Sequence, residues 1–355
     1  MKRCCMLLML PGLLLVQCAP AGTVYSVPRE EKARIQTAAE PVVYSLPVLQ
    51  ACFIAGVQRA QNPINFRLDG ELKSNWRKLV SESLWGEFSR RCTTAFMETG
   101  QVSLTLEYRD YVRLRAAWRY PDIRASLTPD EEEVLRLCQE RVEGVLKPGM
   151  SDYEKLLALH DSLVHQARYH ESGGGDVRDI LCGASGSCEA YSSTLCLMLE
   201  LAGITSRVVT GTADGPHAWN LVKLDDKWYH VDATWNDPVI ANGSREVVSH
   251  AYFCLSDAEI ARTHSWNRDL YPATASQSAY YYRKSGIYFT DFASFWKAAM
   301  AAYRSGKPRF EGYLTTYGSA SEFQRQAQKY MSAGTPAHLS WTGPETSAGA
   351  VILSW

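Results

Sequence analysis

Three residues have the types and the order that thiol chemistry needs: Cys188, His217 and Asp232, all between Gly186 and Pro238. A thiol becomes a strong nucleophile once ionised. An imidazole can take its proton, and a carboxylate can hold that imidazole in the useful orientation. The run GSCEAYSSTLCLMLELAG places Cys188 where a helix should begin. Tyr191, Leu195, Met198, Leu199 and Ala202 recur behind it at helical spacing, and Gly203 closes the segment as a C-terminal cap. A thiol at that end meets the positive pole of the helix dipole and unpaired N–H groups, and both favour the thiolate.

The other two residues belong to a hairpin. HAWNLVKL and KWYHVDAT read as strands joined at Asp225-Asp226. A symmetric tight turn there sets Leu224 opposite Lys227 and, counting outward, Trp219 opposite Asp232. Side chains alternate faces, so His217, Trp219 and Asp232 project from one face. His217 and Asp232 become diagonal neighbours, roughly 7–8 Å apart at the backbone and within side-chain reach. A three-residue loop would turn Asp232 to the opposite face.

The stretch resembles the catalytic core of the transglutaminase-like superfamily, in particular its bacterial secreted branch. The motifs are SCEAYSSTL, GITSRVVTG, HAWNLVKLDDKWYHVDATWNDP and the preceding helix KLLALHDSLVHQARY. The resemblance implies an α+β fold with a papain-like core, its nucleophile helix packed on an antiparallel sheet, and N- and C-terminal accessory regions. It also implies Cys188 as nucleophile, His217 as base and Asp232 as orienting acid. One departure is Ala190, where the family commonly has Gly two residues after the Cys; its methyl could narrow the space beside the thiol.

Neighbouring residues carry competing readings. Trp219 shares the His217 face and is expected to line the substrate groove, whereas Trp235 is expected in the core. Tyr169 is a candidate substrate-binding hydroxyl at the oxyanion site, or a tyrosine with an ordinary buried partner. His230 is a rival base or orienter, set farther from the thiol. Asn220 points to the opposite face and reads as structural, and Glu189 either perturbs the thiol or faces solvent. No metal site is expected. His160 and His165 are five apart on their helix rather than four, no CxxC pair occurs, and no D-x-D-x-D-G calcium loop is present. His250 and His264 receive no role, and no cofactor is called for.

The chain has 355 residues, 46% of them apolar, enough for one large domain or two modest ones. A formal charge of −1 without a basic face argues against nucleic acid. Residues 1–21 carry Lys2 and Arg3 before a short apolar run, the pattern of a signal peptide. Ala19-Pro20-Ala21 offers an ordinary cleavage site. Leu15-Val16-Gln17-Cys18 resembles a lipobox that would leave Cys18 lipidated and the chain attached to a membrane. The expected product is therefore exported: secreted, periplasmic or lipid-anchored. Removing residues 1–21 leaves seven cysteines, of which six could pair and one stay free.

Residues 22–45 read as a linker and 46–125 as an N-terminal accessory region, with a helix over 71–88 and VSLTLEYRDYV as a strand. The catalytic core is expected over 126–242. Its helices open with capping boxes at Thr128 and Ser151, and ESGGGD forms a flexible connection that could cover the cleft. Residues 243–355 read as an α+β extension with a tyrosine-rich strand at 279–282, helices near 291–303 and 321–331, and strands at 310–316 and the C-terminus. The expected function is a peptidase or amidase acting through a thioacyl intermediate on peptide or protein substrates, with cell-wall peptides as one class. Transamidation to an amine uses the same triad and is the alternative, and a binding module with a residual triad is a further one.

Overall fold

A computed structural model describes residues 41–81, 85–237, 248–331, 336, 339–342 and 349–355. The expected signal peptide, Cys18 and most of the expected linker lie outside these residues. Within the stretch expected as linker, Val42 and Val43 form strand β1 and pair in parallel with Arg67 and Leu68 of β2 (Ile64–Leu68). Between them runs helix α1 (Leu46–Gln58). Strands β3 (Ser89–Phe96) and β4 (Gln101–Tyr108) complete a sheet of order β1-β2-β4-β3, and helix α2 (Asp110–Arg119) follows. Alternation in β4 buries Val102, Leu104 and Leu106, as its period-two pattern predicts. Where a helix is expected over 71–88, a 3-10 segment at Gly70–Asn75 leads into one turn, Trp76–Leu79, and residues 82–84 lie outside the described residues.

The middle of the chain begins with helices α3 (Pro129–Val145) and α4 (Asp152–Gln166), and both capping boxes form. Thr128 Oγ1 accepts from the Glu131 N–H at 3.2 Å while the Glu131 carboxylate accepts from the Thr128 N–H at 2.8 Å. Two short parallel strands, β5 (Arg168–Tyr169) and β6 (Ser185–Gly186), lead to the central helix α5 (Cys188–Leu201). Strands β7 (Ser206–Thr212), β8 (Pro216–Leu224), β9 (Lys227–Val231), β10 (Phe253–Leu255) and β11 (Ser265–Trp266) form an antiparallel sheet of order β10-β9-β8-β7-β11. Helix α5 lies against β7 and β8 on one side and α2, α3 and α4 on others. Every residue from Ala190 to Leu199 is therefore buried, Ser192, Ser193 and Thr194 included. This is why its sequence is apolar nearly all round rather than in one stripe. One hydrophobic cluster joins Phe66 and Leu104 of the first sheet to Leu195 and Leu199 of α5.

The last part is a second α+β layer: β12 (Tyr288–Phe289), α6 (Phe292–Arg304), β13 (Arg309–Leu314), α7 (Ala320–Tyr330), β14 (Ser340–Thr342) and β15 (Ala350–Ser354). Its sheet runs β12-β13-β15-β14, and Phe295, Leu314, Phe323 and Leu353 fill its own core. An aromatic seam of Trp219, Tyr252, Tyr280, Tyr282 and Tyr313 joins it to the central sheet. The tyrosine-rich stretch is not a strand. Tyr281–Lys284 make one helical turn, with Tyr280 and Tyr282 buried in the seam, so the ring content reflects packing rather than extended backbone. Among the described residues all seven cysteines are free thiols, so the six-paired arrangement is not formed.

Candidate active site

The hairpin register is the one that aligns the triad. Leu224 pairs with Lys227 and Asn220 with Val231, which sets Trp219 across from Asp232. Asp225 and Asp226 both adopt positive φ (46° and 61°), the two-residue turn that matches strand twist. His217 Nε2 lies 2.7 Å from Asp232 Oδ2. Cys188, at the start of α5, is close enough to the ring to raise its pKa as well. Burial would lower the His217 pKa, but the Asp232 carboxylate and the Cys188 contact outweigh it and raise it to about 10.

Asp232 is completely buried, and both of its oxygens are used. Oδ1 accepts the N–H groups of Thr234 (2.9 Å) and Trp235 (3.0 Å). Oδ2 takes His217 and also His264 Nε2 at 3.0 Å. Burial alone would raise its pKa; the two imidazoles hold it well below the usual carboxylate range. His264, 32 residues beyond Asp232, is the participant that sequence reasoning left without a role. No local pattern marks it, because its approach depends on β11 pairing with β7 at the far edge of the sheet.

Cys188 begins α5, so its N–H is one of the first four in the helix with no intrahelical partner. The helix is tied to the strands that carry the other two residues. Asn220 Nδ2 donates to the Ser192 carbonyl at 2.9 Å, the structural role expected for it, and Tyr191 Oη donates to Asp237 at 2.5 Å. The segment expected to be flexible is anchored here too. Gly174 O accepts from Ser187 N (3.0 Å) and Oγ (3.1 Å), and Asp176 pairs with Arg90 at 2.9 Å. A Cβ on Gly174 would meet Asp179 Oδ2 at 2.0 Å, so the glycine permits this close packing. Ala190 is fully buried, and its methyl fills the space left by the missing side chain of Gly186.

The two tryptophans exchange their expected places. Trp219 is 1% exposed and stacks beneath His217, centroids 5.9 Å apart, so it supports the imidazole and is closed to substrate. Trp235 is half-buried with its ring 6.1 Å from His217, placing it at the accessible side. Tyr169 is 36% exposed, and burial followed by the charge of Cys188 raises its pKa. His230 is neither base nor orienter. Its Nδ1 accepts from Trp219 Nε1 (2.9 Å) and its Nε2 meets Asp257 (2.9 Å), fixing the tryptophan under His217. Glu189 is paired with Arg90 at 3.1 Å and with Arg109, so its charge is compensated.

Among the described residues, two clusters place ligand-type atoms within reach of one ion: His217, Asp232 and His264, and His160, Asp161 and His250. In both, the imidazoles are hydrogen-bonded to the carboxylate they would share with an ion. No helix of the described residues is long and apolar enough to cross a membrane.

Residues 139–233 match the family model of the transglutaminase-like superfamily. Over this segment the chain is similar to the core of that superfamily. The matched segment contains Cys188, His217 and Asp232. Human kyphoscoliosis peptidase is 26% identical over 121 residues, covering 28% of this chain and 18% of that protein. The mouse protein of the same name is 23% identical over 158 residues, covering 39% and 22%. The chain thus spans less than a quarter of the length of these curated relatives. Among solved structures, the crystal structure of a TGase overlaps 59% of this chain and 62% of its own, at 15% identity and a TM-score of 0.26. The periplasmic domain of TgpA from Pseudomonas aeruginosa overlaps 41% and 62%, at 19% identity and a TM-score of 0.24. These overlaps are too slight to add weight to the sequence match.

Proposed function

We propose that the transglutaminase-like core is a Cys188-His217-Asp232 thiol hydrolase acting on amide bonds of peptide or protein substrates. The observation that carries it is the position of His217, bonded through Nε2 to the buried Asp232 and close enough to Cys188, at the start of α5, for the thiol to raise its pKa. In this scheme the thiolate adds to the amide carbonyl, and the oxyanion accepts from the unpaired Cys188 N–H. The C–N bond then breaks as the His217 imidazolium gives its proton to the leaving amine, leaving a thioester on Cys188. Neutral His217 takes a proton from water, the resulting hydroxide adds to the thioester, and the C–S bond breaks to release the acid. Trp235 at the accessible side would cover the acyl group and limit solvent.

Hydrolysis is preferred over transamidation because the curated relatives are named as peptidases. The charged-then-apolar start supports export, and with it peptides outside the cytoplasm, including cell-wall peptides, as the substrate class. The test is mass spectrometry after brief iodoacetamide treatment at several pH values, on wild type and His217→Ala. It is followed by incubation with peptides, with and without a primary amine in excess. Fast, His217-dependent modification of Cys188 and release of free acids are expected. Amine-linked products in place of acids would convert the assignment to a transamidase. Slow alkylation in both proteins would reject the enzyme and favour a binding module.

A further inference from the structure

His250, just before β10, is nearly buried, and both of its ring nitrogens face carboxylates. Nε2 lies 2.9 Å from Asp161 Oδ1 on α4, and Nδ1 lies 2.7 Å from Glu311 Oε2 on β13. A neutral imidazole donates from one nitrogen only, so serving two carboxylates requires the imidazolium. Burial would lower its pKa, but the bonds to Asp161 and Glu311 raise it to about 9. The backbone N–H of His250 and the hydroxyl of Tyr282 both donate to Glu311 Oε1, at 2.8 and 2.6 Å. The Tyr281 ring stacks on the imidazolium at 3.8 Å, and the His160 ring lies 5.7 Å away.

From there a chain of directed bonds leads toward the site. Asp161 Oδ1 also faces His160 Nδ1 at 2.8 Å. That bond sets the tautomer of His160, leaving its Nε2 lone pair to accept from Asn236 Nδ2 at 3.0 Å. With its amide so oriented, Asn236 turns Oδ1 to the Tyr252 N–H at 2.8 Å and donates its own N–H to the Asp232 carbonyl at 3.2 Å. Tyr252 O in turn accepts from the Asp232 N–H at 2.9 Å. His160 and Asn236 have no solvent exposure, so no water can replace a lost partner without rearrangement.

We propose that the C-terminal layer is a positioning part of the site: Glu311, acting through the His250 imidazolium, Asp161 and His160, fixes Asn236 and with it the turn that holds Asp232 against His217. This rests on the Cys188-His217-Asp232 assignment and gives the C-terminal layer a role in it. A neutral His250 would release one carboxylate. Asp161 would then lose one of the two imidazoles that hold it in place against His160, and the orientation of Asn236 would lose part of its support.

The test uses the full chain and reads the iodoacetamide rate of Cys188 from pH 5 to 10 in wild type, His250→Gln and Glu311→Gln. Near-ultraviolet circular dichroism and cooperative unfolding report the fold. Both variants are expected to fold, to alkylate about tenfold more slowly near neutral pH, and to show an altered pH profile, within the range that such coupling carries. Glu311→Gln keeps volume and an acceptor, so it decides if His250→Gln fails to fold. Wild-type rates and profiles in a folded variant would overturn the proposal, as would failure of both to fold, which would make the network a folding element alone. A wild-type Cys188 no faster than free cysteine would reject the enzymatic assignment itself, and the positioning role with it.

Discussion

His264 and His217 share one oxygen of Asp232: their Nε2 atoms lie 3.0 and 2.7 Å from Oδ2, while Oδ1 is occupied by two backbone N–H groups. The carboxylate, with no solvent exposure of its own, is therefore held from four directions. Its position is set before any substrate arrives.

Removing this carboxylate leaves buried imidazoles without their counter-ion. Asp232→Ala is expected to cost about 3–5 kcal/mol of stability, the scale for breaking a buried charge pair. Urea unfolding measures it. The Cys188 alkylation rate should fall toward that of His217→Ala. Unchanged unfolding would show that the pair is not formed in solution.

His264→Asn should have a smaller effect. It removes a hydrogen bond to a charged group, worth about 1.5–3 kcal/mol, and leaves the His217 bond in place. Alkylation should slow by less than in Asp232→Ala, and a loss as large as that variant's would mean that His264 acts on His217 more directly.

Stability should fall on the alkaline side. The folded pKa values of His217 and His250, about 10 and about 9, both lie above the ordinary 6.5. Folding binds these protons, so the contribution is complete below pH 6.5 and is lost as pH rises through 9 and then 10. The difference between wild type and His250→Gln in urea midpoint from pH 6 to 10 isolates the lower step. A difference independent of pH would contradict the imidazolium.

Gly186 and Ala190 form a complementary pair. A Cβ on Gly186 would lie 2.6 Å from the Ala190 methyl and 3.0 Å from Ile180 Cδ1. Gly186→Ala is expected to destabilise by about 1–3 kcal/mol through overpacking. Adding Ala190→Gly should recover part of that loss despite the helix penalty of about 1 kcal/mol. A double variant no better than the sum of the two single ones would place the strain elsewhere.

Much of the core was legible because its signals are local. The N-terminal place of Cys188 followed from helical spacing, and the capping boxes from Thr128-x-x-Glu131 and Ser151-x-x-Glu154. The face shared by His217, Trp219 and Asp232 followed from strand alternation and a two-residue turn, and the observed register agrees. Period and turn length are properties of adjacent residues, and the sequence by itself determined them.

What only the tertiary structure decided are contacts between distant elements. His264 reaches Asp232 because β11 lies along β7, and His250 joins Asp161 to Glu311, 150 positions apart, because the C-terminal sheet docks on the core. Trp219 and Trp235 sit close together in sequence, yet one lies under His217 and the other beside it. Strand alternation states which face a ring is on, not what covers that face. Here Trp266 and the tyrosine seam close over Trp219, and residues far along the chain supply that cover.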